Sequence, residues 1–207
     1  VVVRPGSFAV LLPVKSPGTG KSRLSALPDE HRRRLAAAFA ADVVRSCLAT
    51  PAVGLVLIVS DDAGFAISLA AGEALTLADP GGGLNAALRH ASAQARIERP
   101  ELQPVALLAD LPSLTPEDLT AALAHATPGQ GSWFVRDADD TGTTLYSAPY
   151  DVFEPRFGPG SAAAHLAGGA TPVPGALATL RRDVDDLTDL DGAIALGVGP
   201  ATADALT

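Results

Sequence analysis

The chain has 207 residues, 47% of them hydrophobic but only 4% aromatic, so one domain of Ala, Leu and Val can bury a substantial core. A formal net charge of −8, from 23 acidic and 15 basic residues, excludes a general nucleic-acid binder, which needs a basic face. A single cysteine, Cys47, excludes an internal disulfide framework and fits a reducing cytoplasm.

Methionine is absent, which points to a native start that was trimmed or lies upstream. Residues 1–7 are expected to be a disordered or trimmed N-terminal segment without a signal-peptide layout. The longest apolar stretch, around Val53 to Val59, is far shorter than the ~20 residues of a membrane span. A single domain over 1–207 is expected, with no repeat and no linker.

Phe8 to Val14 is a continuous apolar run and reads as a buried strand. The loop after it, Lys15-Ser16-Pro17-Gly18-Thr19-Gly20-Lys21-Ser22-Arg23, ends like a P-loop. The position five before Gly20 is Lys15, not glycine, so the strict pattern fails. A glycine-bearing loop flanked by cations still suits a polyphosphate. Asp29 to Leu48 carries Leu35, Phe39 and Val43 at helical spacing, with His31-Arg32-Arg33-Arg34 near its start, read as a solvated face.

Val53 to Val59 is a second buried strand, closed by Ser60-Asp61-Asp62, and Ala74 to Leu77 a third. Asp79-Pro80-Gly81-Gly82-Gly83 leads into a helix starting near Leu84-Asn85. Pro104 to Ala109 is a fourth strand, ending on Asp110-Leu111-Pro112. Thr115, with Asp118 three residues on, caps the next helix. Ser132 to Arg136 and Thr143 to Ser147 read as neighbouring strands, Ser161 to Leu166 as a short helix, and Thr171 to Ala178 as a loop. Leu180 to Val184 reads as a last strand and Asp186 to Leu196 as a closing helix.

Strands alternating with helices predict an α/β fold: a mostly parallel sheet covered by helices on both faces. Ligands in such sheets sit at the carboxyl ends of the strands. The lysine loop, Ser60-Asp61, Asp79 to Asn85 and Asp110 all fall there. No G-x-G-x-x-G follows the first strand, which argues against a dinucleotide site.

The acids suggest a cation. Alternation along a strand would put Asp183 and Asp185 on one side. Two like charges there are either a solvated strand end or, with Asp110, a seat for Mg²⁺, which takes one or two carboxylates plus substrate phosphates. Lys15, Lys21 and Arg23 would neutralise a triphosphate. That is equipment for attack on a nucleotide phosphorus, where positioning and charge neutralisation do the work. Cys47 lacks a local base, and His31, His90, His125 and His165 lack zinc spacing. Asp140-Thr141-Gly142-Thr143-Thr144 is either a plain hairpin or a ligand turn. The start of the helix after Gly158, at Ser161, is either an ordinary cap or an anion site.

Five motifs in order carry a family resemblance: P-V-K-x-x-x-x-x-K-S-R-L from Pro13, D-L-P from Asp110, T-G-T from Thr141, F-G-x-x-S-x-x-x-H from Phe157 and D-V-D from Asp183. Together they resemble the phosphoenolpyruvate and 2-phospho-L-lactate guanylyltransferases of coenzyme F420 biosynthesis. The likeness runs from about Phe8 onward, and the tail from Leu196 to Thr202 is similar to the phosphoenolpyruvate branch. The loop between Lys15 and Lys21 departs from the family, which is alanine-rich there.

The resemblance implies a nucleotide-diphospho-sugar transferase-like, Rossmann-like domain. It implies a cytoplasmic enzyme joining GTP to phosphoenolpyruvate and releasing pyrophosphate, with possible hand-over to the next enzyme of the pathway. It assigns Thr143, Gly158 and Ser161 to the phosphoenolpyruvate, Asp110, Asp183 and Asp185 to Mg²⁺, and Lys15, Lys21 and Arg23 to the triphosphate. Asp110 is also expected to be catalytic, with those three cations. Pro13, Ser60 and Asn85 complete the expected nucleotide-binding set. The alternatives are 2-phospho-L-lactate or 3-phosphoglycerate as acceptor, or a catalytically inactive nucleotide-binding regulator on the same fold.

Overall fold

The computed structural model describes residues 5–18, 27–125 and 130–207. Among the described residues, seven strands form one sheet in the order β3-β2-β1-β4-β6-β5-β7. They are β1 (Phe8–Val14), β2 (Val53–Ser60), β3 (Leu75–Ala78), β4 (Gln103–Leu107), β5 (Trp133–Arg136), β6 (Thr143–Ser147) and β7 (Thr171–Pro172). Every pairing is parallel except those of β6, which runs antiparallel to both β4 and β5.

The continuous apolar run of β1 follows from its central place. Val10, Leu12 and Val14 face one side of the sheet, against α1 (Asp29–Leu48), α2 (Ala63–Ala70) and α4 (Pro116–Ala124). Ala9 and Leu11 face the other side, against α3 (Leu84–Glu98). A strand buried on both faces has no polar positions to alternate. Pro13 lies past the last β1–β4 pair, Leu11 with Ala106, where a missing N–H leaves no gap in that ladder.

Of residues 1–7, those before Pro5 lie outside the described residues. The N–H groups of Gly6 and Ser7 donate to the carbonyls of Pro51 and Ala52 at 2.9 Å. Helix α2 was not expected. It begins where Asp62 accepts the N–H of Phe65, so the residues read as a strand end are a helix cap.

A third apolar cluster joins Leu35 and Phe39 of α1 to Val184, to α7 (Leu187–Leu196) and to α8 (Pro200–Ala205). Helix α8 is capped by a residue of α1. Buried Asp42 accepts from the N–H groups of Ala201 and Thr202 at 3.0 and 2.8 Å and pairs with Arg45 at 2.7 Å. A Cβ on Gly199 would collide with that carboxylate. At the other end of α8, His31 and Arg34 bond the carbonyl of Ala205 at 3.1 and 3.0 Å. The basic run of α1 is therefore not wholly solvated, since two of its members close a helix C-terminus.

The expected strand Leu180 to Val184 is absent. Residues Ala178–Arg181 form α6 instead, entered through Leu177 at φ 41°. Buried Leu180 and Val184 are four apart, which fits a helical turn as well as a strand. The edge beside β5 is taken by β7, inside the stretch read as loop. Among the described residues no helix is long and apolar enough to cross a membrane.

Candidate active site

The parallel strands deliver their carboxyl ends to one edge, and the expected residues gather there. Lys15 follows β1, and the next N–H, of Ser16, donates to Asp61 at the end of β2 at 2.8 Å. Lys21 and Arg23 lie outside the described residues. Ser60 is buried, and its hydroxyl accepts the N–H of Asp62 at 3.1 Å, so its first role is shaping the turn into α2.

After β3, Asp79 accepts the N–H of Gly81 at 2.8 Å. Gly81, Gly82 and Gly83 follow at φ 78°, 83° and 87°. Three successive residues in this region require glycine. Asn85 then bonds both backbone groups of Phe157: its Nδ2 donates to the carbonyl at 2.9 Å and its Oδ1 accepts the N–H at 2.8 Å. The amide expected to touch nucleotide is thus a brace for the loop before α5 (Ser161–Ala167).

The acids converge by a different route from the one expected. The N–H of Val184 donates to the carbonyl of Asp110 at 3.0 Å, pinning the 183–185 segment against the exit of β4. Asp183 and Asp185 therefore do not share a strand face, yet both stand near Asp110. Burial first, then the charges of Asp110, Asp185 and Asp137, push Asp183 up to about 7. The neighbouring acids have other work. Asp186 and Asp189 form the capping box of α7.

Among the described residues no three His, Cys, Asp or Glu side chains are grouped to hold an ion by themselves. The donor chemistry nonetheless suits Mg²⁺. A carboxyl pushed up by burial and by like charges is relieved by a hard cation, and Mg²⁺ completes its shell with water and substrate phosphates.

Thr143, Gly158 and Ser161 come together from two separate stretches. The turn between β5 and β6 is a hairpin built on Asp137, whose carboxylate accepts the N–H groups of Thr141 and Gly142 at 3.0 and 2.7 Å. A side chain on Gly142 would strike that carboxylate. The carbonyl of Thr141 accepts the N–H of Ala162 at 3.2 Å, which docks α5 on the turn. Gly158 at φ 134° and Gly160 at φ 71° shape the approach to Ser161. Asp137 belongs to both halves of the edge, since its charge also reaches Asp183.

Asp137 and Arg181 escaped the sequence reading as parts of this site, and His165 entered it only as the end of a motif. Asp137 sits just upstream of the T-G-T motif, and an acid preceding a glycine turn is a detectable signal. Arg181 supports it, donating to the Asp137 carbonyl at 2.9 Å. His165 ends the F-G-x-x-S-x-x-x-H motif and lies buried against Thr143.

The description "Guanylyl transferase CofC like" belongs to a family model that matches residues 8–170. The chain belongs to this family. A phosphoenolpyruvate guanylyltransferase of Streptomyces coelicolor is 48% identical over 95% of this chain and 94% of its own length. The enzyme of that name from Salinispora arenicola is 46% identical over 95% and 92%. Among solved structures, a candidate nucleotide-diphospho-sugar transferase from Desulfovibrio desulfuricans G20 matches with a TM-score of 0.65, covering 90% of this chain and 85% of that one at 20% identity. That likeness bears on the fold alone, and it agrees with the nucleotide-diphospho-sugar transferase-like domain expected of the chain.

Proposed function

We propose that this enzyme transfers GMP from GTP to phosphoenolpyruvate, giving enolpyruvyl-diphospho-5'-guanosine and pyrophosphate, in the cytoplasmic route to coenzyme F420. The observation that carries this reading is the position of Asp137. It anchors the turn that presents Thr143, and its charge reaches Asp183 beside Asp110. An acceptor held at Thr143, Gly158 and Ser161 therefore lies next to the carboxylates, where a nucleotide α-phosphate would sit. Relatives of nearly equal length that carry the phosphoenolpyruvate name support the choice of acid.

The step is an in-line displacement. A phosphate oxygen of the acid forms a bond to the α-phosphorus of GTP. The bond from that phosphorus to the bridging oxygen breaks, and pyrophosphate leaves with the electron pair. No general base is needed, because the attacking phosphate is already ionised. Lys15, with Lys21 and Arg23, neutralises the leaving group, and fixed donors at Thr143 and Ser161 hold the acid in line. Asp110, Asp183 and Asp185 would hold Mg²⁺, which supplies charge neutralisation at the phosphates. The product passes on to the next enzyme of the route.

Pyrophosphate release tests the reading. The protein is mixed with GTP and Mg²⁺, and phosphoenolpyruvate, 2-phospho-L-lactate or 3-phosphoglycerate is added separately. Release with phosphoenolpyruvate alone is expected. Release with a different acid moves the acceptor, and GTP binding without release from any acid turns the protein into a regulator.

A further inference from the structure

The structure assigns to His165 the task of aiming the Thr143 hydroxyl: its Nδ1–H donates to Thr143 Oγ1, leaving the threonine proton to be donated to the anionic acceptor acid. The inference deepens the proposed function and rests on its placing of the acid at Thr143.

The argument begins with a bulge. Arg136 pairs with Thr143 while Val135 pairs with Leu145, so Thr144 is an extra residue in β6. Plain alternation would put Thr143 on the same face as Leu145, in the core under α1 and α4. The extra residue turns it onto the opposite face, that of Phe134 and Tyr146, a common use of a bulge beside a site. There it meets His165, whose Nδ1 is 3.0 Å from Thr143 Oγ1.

The direction of that bond is fixed by the other ring nitrogen. Nε2 lies 2.9 Å from the backbone nitrogen of Arg156 and receives its N–H. A backbone amide nitrogen only donates, so Nε2 must be unprotonated. A neutral ring then carries its proton on Nδ1. The ring is neutral at physiological pH, since burial pushes it down to about 4 against an opposite pull from the Ser161 carbonyl, with the Arg156 charge adding a smaller push downward.

The ring has little freedom to turn over. It stacks on Tyr146 with centroids 4.6 Å apart, and Phe157 meets it edge-on at 5.4 Å. With its lone pair engaged by Nδ1–H, the Thr143 hydroxyl has one proton to give. A donor fixed in advance toward an anion loses no orientational freedom when the substrate arrives. His165 is thus a positioning residue. It never touches the acid, and it couples the Arg156 loop to the turn that does.

Two measurements test this. The first is ¹⁵N NMR of protein labelled in its histidine rings, with His165 assigned by its loss in H165N. A protonated Nδ1 with a bare Nε2 is expected, unchanged from pH 6 to 8. A protonated Nε2 overturns the proposal.

The second is kinetic. Asparagine keeps a donor where Nδ1 stood, whereas glutamine reaches the Nε2 position and keeps only an acceptor for Arg156. H165Q should therefore raise KM for phosphoenolpyruvate about tenfold or more, with a smaller change for GTP, as T143V should. H165N should recover most of that loss, and H165Q combined with T143V should be no worse than either alone. Equal effects of H165N and H165Q, or losses that multiply in the double variant, sink the idea. Wild-type protein with the Nδ1–H ring but no turnover on any acid would fail the proposed function and leave the orientation of the hydroxyl standing.

Discussion

The backbone N–H of Val184 donates to the carbonyl of Asp110 at 3.0 Å, and this one bond sets Asp183 in the field of Asp110. The bond uses main-chain atoms, so changing the Asp110 side chain leaves it in place. D110N is therefore expected to fold and melt like the parent while pyrophosphate release falls about a hundredfold or more. Circular dichroism melts alongside the release assay check both halves. Full activity in D110N would remove Asp110 from the chemistry.

Asp183 gives a prediction with a definite sign. Its folded-state pKa is raised to about 7 from an ordinary value of 3.8. A raised carboxyl favours the fold fully below its unfolded pKa and loses that contribution as pH climbs through about 7. Metal-free D183N should thus gain stability over the parent at pH 8, on the order of 1–2 kcal/mol, and show little difference at pH 4. Adding Mg²⁺ with GTP should raise the parent's melting temperature more at pH 8 than at pH 6, and D183N should lose that gain. Urea titrations across pH 4 to 8 follow the first effect and thermal melts the second.

His165 slopes the other way. Its folded pKa is lowered to about 4 from 6.5, so the neutral ring favours the fold fully above 6.5, and that contribution fades as pH falls toward 4. Between these limits it opposes Asp183, and the parent's stability should vary little with pH there. H165N removes one arm, so its stability should rise on acidification where the parent's stays nearly level. The gap between variant and parent should change by up to about 3 kcal/mol across that range. A parallel pair of curves would show that the buried ring does not govern the acid limb.

The Asp42 cap ties α8 to α1. D42A removes a cap with two N–H bonds and strands Arg45, and G199A drives a methyl into the same carboxylate. Each is expected to cost about 2 kcal/mol in urea unfolding. The KM for GTP and for phosphoenolpyruvate should stay near the parent values in the folded fraction. A large rise in either KM would mean that α8 reaches the site.

The fold was legible where one signal dominated. Phe8 to Val14 reads as a strand because both of its faces are buried, and Thr115 announces α4 because its side chain accepts the N–H of Asp118. Leu180 to Val184 misled because its two buried residues belong to different pieces: Leu180 sits on α6, and Val184 lies beyond it, held by the Asp110 carbonyl that is remote in sequence. Helix α2 hid because Phe65-Ala66-Ile67 shows no clear period. Helix α8 was signalled by Gly199-Pro200, but its cap lies at residue 42, beyond any local window.

The candidate site was legible as a list of residue types and not as an arrangement. Thr143, Gly158 and Ser161 were named from motifs. The bulge at Thr144 that turns Thr143 toward His165 leaves no trace in composition or periodicity. Asn85 was named for a nucleotide, and its tie to the backbone of Phe157 has no local signal in the sequence.

The reversed strand β6 has one more consequence. It pairs antiparallel with β4, Leu145 opposite Leu107, and the N–H of Leu108 meets the carbonyl of Thr144. The start of β6 therefore arrives at the edge where every parallel strand finishes. The turn feeding it, residues 137–142, hangs outside the sheet, so lengthening or reshaping it disturbs no strand register. Change confined to that hairpin tip can therefore alter what stands beside Thr143 while the pairing of the parallel strands stays as it is.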